Sequence, residues 1–279
     1  MNHVDHPKAL THISLCAGYG GIDLGLTRAL GAVRTVAFSE IEAFPCANLV
    51  SKMEKGLLDV APIWTNLKTF PWEQFRGSVD ILSGGFPCQP FSAAGRRAGD
   101  DDPRHLWPHI VRGIEQLGRP PIVFFENVEG ILSSKLSGDH WSDEAGTPVL
   151  LHVLRELERL GYQATAGVFS AREVGAPHQR KRVFILGTNL NSAGRDIVNG
   201  LLDNVADTYH PRHDHTAYPA PRGAEQYGWE PPRVTVDGDG QIIDNRTDEL
   251  RLLGNGVVPD TAARAFSVLW RDLVNAFGA

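Results

Sequence analysis

The sequence predicts an α/β protein: an open, largely parallel sheet with helical crossovers, interrupted near its end by a small irregular domain. Short apolar runs alternate with helically spaced apolar residues through the first 187 positions. Glycines or acids stand where those runs end, and the patterning fades from Thr188 to Asn245. Alternation of this kind marks strand–helix–strand units, whose parallel strands need a crossover between them.

The elements follow in order. His12–Cys16 reads as a strand, then a glycine turn, then a helix through Ile22, Leu26 and Leu30. Thr35–Phe38 is a second strand ending at Ser39-Glu40. Val79–Leu82 is a third, running into Ser83-Gly84-Gly85-Phe86-Pro87-Cys88. A helix near Leu106–Leu117 precedes Ile122–Phe125, a fourth strand that ends at Glu126-Asn127. Leu150–Leu160 has helical apolar spacing, and Phe169 and Val183–Leu186 belong to two further strands. From Thr188 to Asn245 the chain is rich in Asn, Asp, His, Pro and Gly, with four Arg against nine Asp plus Glu. Lost periodicity over such a length predicts an irregular domain or long insertion. Order returns at Leu250, and Thr261 to about Val274 reads as an apolar helix. The expected organisation is an α/β domain over 1–187, an inserted domain over 188–245, and 246–279 completing the first.

Composition narrows the class. The 279 residues are 42% apolar, enough for a packed core. Three cysteines make no closed disulfide framework, which fits a reducing compartment. No apolar run approaches the roughly 20 residues of a membrane span, and Met1–Leu10 lacks the apolar stretch of a signal peptide. A soluble cytoplasmic protein with no membrane partner is expected. The net charge of −6 argues against a protein that coats nucleic acid, but not against one gripping it in a local cleft. Arg96-Arg97 with Arg104, and Arg172 with Arg180-Lys181-Arg182, are the local basic clusters; read alone, each is a solvated face.

Ligands of open sheets gather at the carboxyl ends of strands. Ala17-Gly18-Tyr19-Gly20-Gly21 lets a ligand approach the backbone, and Glu40 lies 20 residues beyond Gly20, where such folds place an acid on ribose hydroxyls. The full GxGxxG spacing is absent and no phosphate-loop lysine follows, so an adenosine ligand without pyrophosphate is favoured over NAD, FAD or ATP. Cys88, between Pro87 and Gln89-Pro90, is an exposed strand-end thiol that could act as a nucleophile. Cys46 reads as packing. Glu126 would face the same pocket, and a thiol with a carboxyl group suits addition to an electron-poor ring. No metal cluster is expected, because His210, His213 and His215 lack a fourth ligand at zinc spacing.

Five segments in this order resemble the motifs of DNA cytosine-5 methyltransferases: Leu15–Gly21, Gly85–Ser92, Glu126–Val128, Arg180–Arg182 and Gly254–Pro259. The resemblance runs from about residue 11 to 270, leaves the irregular segment unmatched, and looks most like the phage and prophage members. It implies a Rossmann-like fold that binds S-adenosyl-L-methionine (SAM), a small target-recognition domain, double-stranded DNA as partner and a monomer. It implies that the cytosine is swung out of the helix, that Cys88 attacks C6, that Glu126 acts at N3, and that Arg182 meets O2 with Arg180 in support. Asn127 would orient the loop carrying Glu126. The implied cofactor residues are Cys16, Ala17, Gly18, Tyr19, Gly20, Gly21, Glu40, Ile41, Asn66, Leu67, Pro87, Trp107, Asn255 and Gly256. Gly84–Arg104 matches a mobile loop whose Ser92, Arg96, Arg97 and Arg104 would meet the DNA backbone. Arg195, Arg212, Arg222 and Arg233 are the candidate readers in the inserted domain, which is unusually acidic for that task.

The chain departs from the pattern at Cys16, where the family has Phe, at Asn66, where it has Asp, and at His178, where it has Gln. The segment before Gly254 keeps only Arg246 and Arg251. A same-chemistry alternative is an RNA (tRNA) cytosine methyltransferase, since one branch of the family acts on tRNA. A non-catalytic SAM-binding or DNA-binding regulator would leave the intact set Cys88, Glu126 and Arg182 without a purpose. A nicotinamide dehydrogenase would leave the Pro-Cys-Gln turn unexplained.

Overall fold

The computed structural model describes residues 9–87, 106–137, 141–189 and 254–277, with the single positions 218, 225, 227 and 228. Cys88, Ser92, Arg96, Arg97, Arg104, His210, His213, His215, Arg246, Arg251 and the four arginines of the inserted segment lie outside the described residues.

The strands are β1 (Leu10–Leu15), β2 (Val33–Ser39), β3 (Ile63–Trp64), β4 (Ile81–Gly85), β5 (Ile122–Val128), β6 (Gln163–Ser170) and β7 (Lys181–Thr188). They form one sheet in the order β3-β2-β1-β4-β5-β7-β6. The helices are α1 (Gly21–Leu30), α2 (Ala43–Glu54), α3 (Trp107–Gln116), α4 (Val149–Arg159) and α5 (Pro259–Phe277). The α/β expectation holds, with one correction to the sheet: β7 runs antiparallel to both β5 and β6. An apolar run such as Val183–Leu186 is the same signal for either direction, since burial on both faces removes the alternation that could separate them.

That reversal matters for function. It returns the chain so that Val128 stands opposite Arg182 and Glu126 opposite Phe184. Residues two apart on neighbouring strands share a face, so Glu126 and Arg182 become diagonal neighbours on the face that also carries Phe124 and Phe184.

Two apolar cores sandwich the sheet. On one side Val123, Phe125 and Ile185 pack with Trp107, Ile110, Val153 and Leu157 of α3 and α4. On the other, Phe124, Phe184 and Leu186 pack with Ile22 and Leu26 of α1 and Phe266, Leu269 and Trp270 of α5. α1 and α5 approach unusually closely: a Cβ at Gly25 would lie 2.6 Å from that of Ala262. Asp260, in the first turn of α5, adds an ion pair to Arg28 of α1 at 2.7 Å and accepts the hydroxyl of Tyr218 at 2.9 Å. β7 extends to Thr188, one residue beyond the expected domain edge, and the amide of Asn189 still bonds the carbonyl of Pro121.

Candidate active site

The site is assembled from strand ends. β1 stops at Leu15, and the chain turns through Cys16 and Gly18, both at positive φ (47° and 55°), before Gly20 at φ 79° opens α1. A cysteine gains nothing from the left-handed region, so its conformation is imposed by the turn, a strain typical of functional loops. Burial, with the nearby charge of Glu40, pushes the Cys16 thiol up to about 12. It remains a packed, protonated thiol.

Glu40 follows β2 directly. Its Oε2 accepts the amide of Gly18 at 2.8 Å and its Oε1 the amide of Glu42 at 2.9 Å. Each oxygen keeps a second lone pair for the hydroxyls of a vicinal diol. Ile41, beside it, is 71% exposed and offers an apolar platform at the mouth. An added Cβ at Gly18 meets no atom within 4 Å, so the turn borders open space. These features fit an adenosine ligand, as the sequence expects. Other expected cofactor residues stand differently. Asn66 turns its Oδ1 back onto the amide of Lys68 at 3.0 Å as a cap. Leu67 and Trp107 are core side chains. Trp107 packs between Phe86 and Phe125 with ring centroids 5.2 and 5.6 Å away. Those three rings anchor the end of β4, the start of α3 and the strand bearing Glu126 on one another.

Glu126 is 5% exposed. Gly85 faces it from β4, where a Cβ would stand 3.0 Å from its Oε2. Burial raises its carboxyl to about 7, against the opposing pull of Arg182 and then Arg180. Arg182 Nε lies 2.8 Å from Glu126 Oε1, an ion-pair separation without the alignment of a hydrogen bond. Among the described residues, Glu126 Oε1, Arg182 Nε and Arg180 Nε are all buried without a hydrogen-bond partner. Buried polar atoms without aligned partners are costly, and an ion pair short of hydrogen-bond alignment beside an unpartnered guanidinium nitrogen keeps capacity for a polar ligand. Arg180 is held at φ 33°, a second strained non-glycine residue of the site.

Asn127 points to the opposite face. Its Nδ2 donates to the carbonyl of Phe86 at 2.9 Å, and its Oδ1 accepts the amide of Val128 at 2.9 Å. The sequence assigns it to the loop of Glu126; the geometry has it also holding the end of β4, two residues before Cys88. Asn127→Ala strands a buried carbonyl, an expected loss of roughly 1–3 kcal/mol. Urea unfolding checks this, and an unchanged midpoint would mean that water replaces the amide.

Residues 254–257 close the site. Arg180 donates to the carbonyls of Gly254, at 2.8 Å, and Gly256, and Arg182 donates to that of Gly254 at 3.3 Å. The Tyr19 hydroxyl donates to the carbonyl of Val257. A Cβ at Gly256 would stand 1.7 Å from Tyr19 Cε1, and one at Gly21 would stand 2.1 Å from the Val257 oxygen. Gly256 therefore makes room for the Tyr19 ring, a contact the motif reading does not contain, while Asn255 is exposed. Gly256→Ala is expected to cost roughly 1–3 kcal/mol by overpacking, read by thermal or urea unfolding. An unchanged stability would show that the ring swings aside freely.

The family model for C-5 cytosine-specific DNA methylase matches residues 10–219. The chain belongs to this family. Type II methyltransferase M.NgoMIV of Neisseria gonorrhoeae is 32% identical over 177 residues, spanning 63% of this chain and 51% of that protein. Type II methyltransferase M.PspPI of Psychrobacter sp. is 28% identical over 276 residues, spanning 97% of this chain and 56% of that protein. This chain thus spans about half the length of the curated methylase relatives it matches. Among solved structures, the Dnmt2 methyltransferase of S. pombe superposes with a TM-score of 0.51 at 22% identity, over 66% of this chain and 52% of that one. The Dnmt2 likeness is one of fold, and it agrees with the Rossmann-like expectation. No helix among the described residues is long and apolar enough to cross a membrane, and they hold no cluster of three metal-ligating side chains.

Proposed function

We propose that this methylase transfers a methyl group from SAM to C5 of a cytosine swung out of double-stranded DNA. The observation that carries this reading is the buried Glu126 paired with Arg182 at 2.8 Å, with the unpartnered Nε of Arg180 in the same cluster, set against the exit of β4 that leads to Cys88. When bound, SAM supplies an electrophilic methyl group.

The chain's own residues do the rest. Cys88 supplies a thiolate to C6 of the ring. Glu126, raised by burial so that a substantial part keeps its proton near pH 7, donates that proton at N3 as electron density enters the ring. Arg182 donates to O2, and Arg180 keeps the 254–257 carbonyls in place beside it. C5 is then nucleophilic enough to take the methyl group. Loss of the C5 proton to solvent then expels the Cys88 thiolate and restores the aromatic ring as N3 returns its proton to Glu126. The turn 16–21 and Glu40 hold the adenosine part, with Ile41 against the base and Pro87 and Asn255 at the rim, while Asn66, Leu67, Trp107 and Gly256 support the site from behind through the cap, the core and the Tyr19 ring. In this reading residues 188–245 form the target-recognition domain, and Ser92, Arg96, Arg97 and Arg104 grip phosphates.

The test is transfer of labelled methyl from SAM to duplex DNA, with tRNA as competing acceptor. Label in the DNA, located at cytosine by base-resolution bisulfite sequencing, supports the reading. Label in tRNA alone would replace it with RNA methylation.

A further inference from the structure

The residues around 254–257 receive hydrogen bonds from two sides. From the glycine turn, the Tyr19 hydroxyl reaches the Val257 carbonyl. From the start of β7, Arg180 takes the Gly254 and Gly256 carbonyls and Arg182 the Gly254 carbonyl. Tyr19 itself is fixed: its ring fills the space left by Gly256, and Lys52 Nζ sits 4.7 Å from the ring centroid while donating to the Tyr19 carbonyl. No hydrogen bond joins Tyr19 to Arg180 directly; the shared partner is the backbone between them.

We propose that Tyr19 is a positioning residue that couples the glycine turn to Arg180 and Arg182 through the carbonyls of residues 254–257. This rests on reading the turn as the cofactor site and the arginines as the base pocket. Displacement of Tyr19 frees the Val257 carbonyl, and the strand of carbonyls on which Arg180 depends shifts with it. Burial keeps the phenol protonated, pushed up to about 12 against the pull of Arg180, so that the donor persists across the working pH range. The turn and the arginine pair are then set together, and a ligand that orders one orders the other.

The experiment compares Tyr19→Phe, Arg180→Lys and the double variant, with Tyr162→Phe as control. Tyr162 donates its buried hydroxyl to the Pro120 carbonyl, away from the site, and so reports the effect of losing any such bond. The first readout is amide hydrogen exchange of the peptide covering 254–258 in protein without cofactor or DNA. Tyr19→Phe should speed it about tenfold, the size of one neutral hydrogen bond, and Tyr162→Phe should leave it unchanged. The second is affinity for S-adenosyl-L-homocysteine by titration calorimetry. Each site variant should weaken it, and the double variant should be no weaker than the worse single one. Multiplicative losses, or unaltered exchange in Tyr19→Phe, would overturn the coupling. Wild-type protein that binds no homocysteine product would sink the cofactor reading instead, and the exchange result would then decide the coupling alone.

Discussion

Cys88→Ser is expected to abolish methyl transfer while leaving the fold and cofactor binding intact. The chemistry asks for a nucleophile that is partly ionised near neutral pH and then leaves again. A thiol of pKa near 8.5 meets both demands, whereas a serine hydroxyl without an adjacent base meets neither. Neither lesser cysteine can substitute: burial raises the thiols of both Cys16 and Cys46, with Glu40 adding to each shift. The expected loss is at least about 10³-fold in single-turnover rate, the scale on which removal of a nucleophile registers. Duplex DNA carrying 5-fluorocytosine supplies the complementary arm, because fluorine at C5 blocks the final elimination. Wild-type protein should form a denaturation-resistant adduct with it and Cys88→Ser should not. Methylation by the serine variant within tenfold of wild type would take the nucleophile away from Cys88.

Glu126→Gln is expected to lower the rate by about 10²- to 10⁴-fold, the usual worth of a positioned proton donor. The sign of the pH dependence follows from its environment. Burial raises this carboxyl to about 7, so the proton needed at N3 is present below that value and lost above it. The single-turnover rate should therefore fall on the alkaline side of pH 7, while ionisation of Cys88 shapes the acid side. Glutamine cannot ionise, so the variant should lose the alkaline limb while keeping its low rate. A variant that retained the limb would assign it to another group. The same shift bears on folding: a carboxyl raised in the folded state favours that state at low pH. This contribution is fully present below the unfolded value near 4.5 and is lost as pH rises through about 7.

Much of the frame was legible because its signals are local. Glycines after β1, the Gly-Gly-Phe-Pro exit of β4 and the acid within β5 each follow from what one turn or one strand end demands. Two elements escaped. α2 carries Pro45 in its first turn and buries only Pro45, Leu49 and Met53, a faint stripe. β3 is two residues long, too short for any alternation to register. β1 also starts at Leu10 and stops before Cys16, because the left-handed backbone at Cys16 ends the pairing. In the site, Glu126 and Arg182 could be named from motifs, but their diagonal meeting depends on the direction of β7. Partners of Asn127, Tyr19 and Arg180 are main-chain groups, which carry no residue identity and so leave no mark in a sequence.

The seat of Tyr19 against Val257 joins positions 238 apart in the chain. During synthesis the glycine turn leaves the ribosome first, and the strands pair behind it long before its partner exists. Until residues 254–277 emerge, the face of Phe124 and Phe184 lacks Phe266 and Trp270, and the arginines lack their carbonyls. So distant a closure is entropically expensive and late, which predicts a sheet that collapses early around an unfinished centre. A chain lacking residues 254–277 would therefore carry that apolar face uncovered, a surface that favours aggregation.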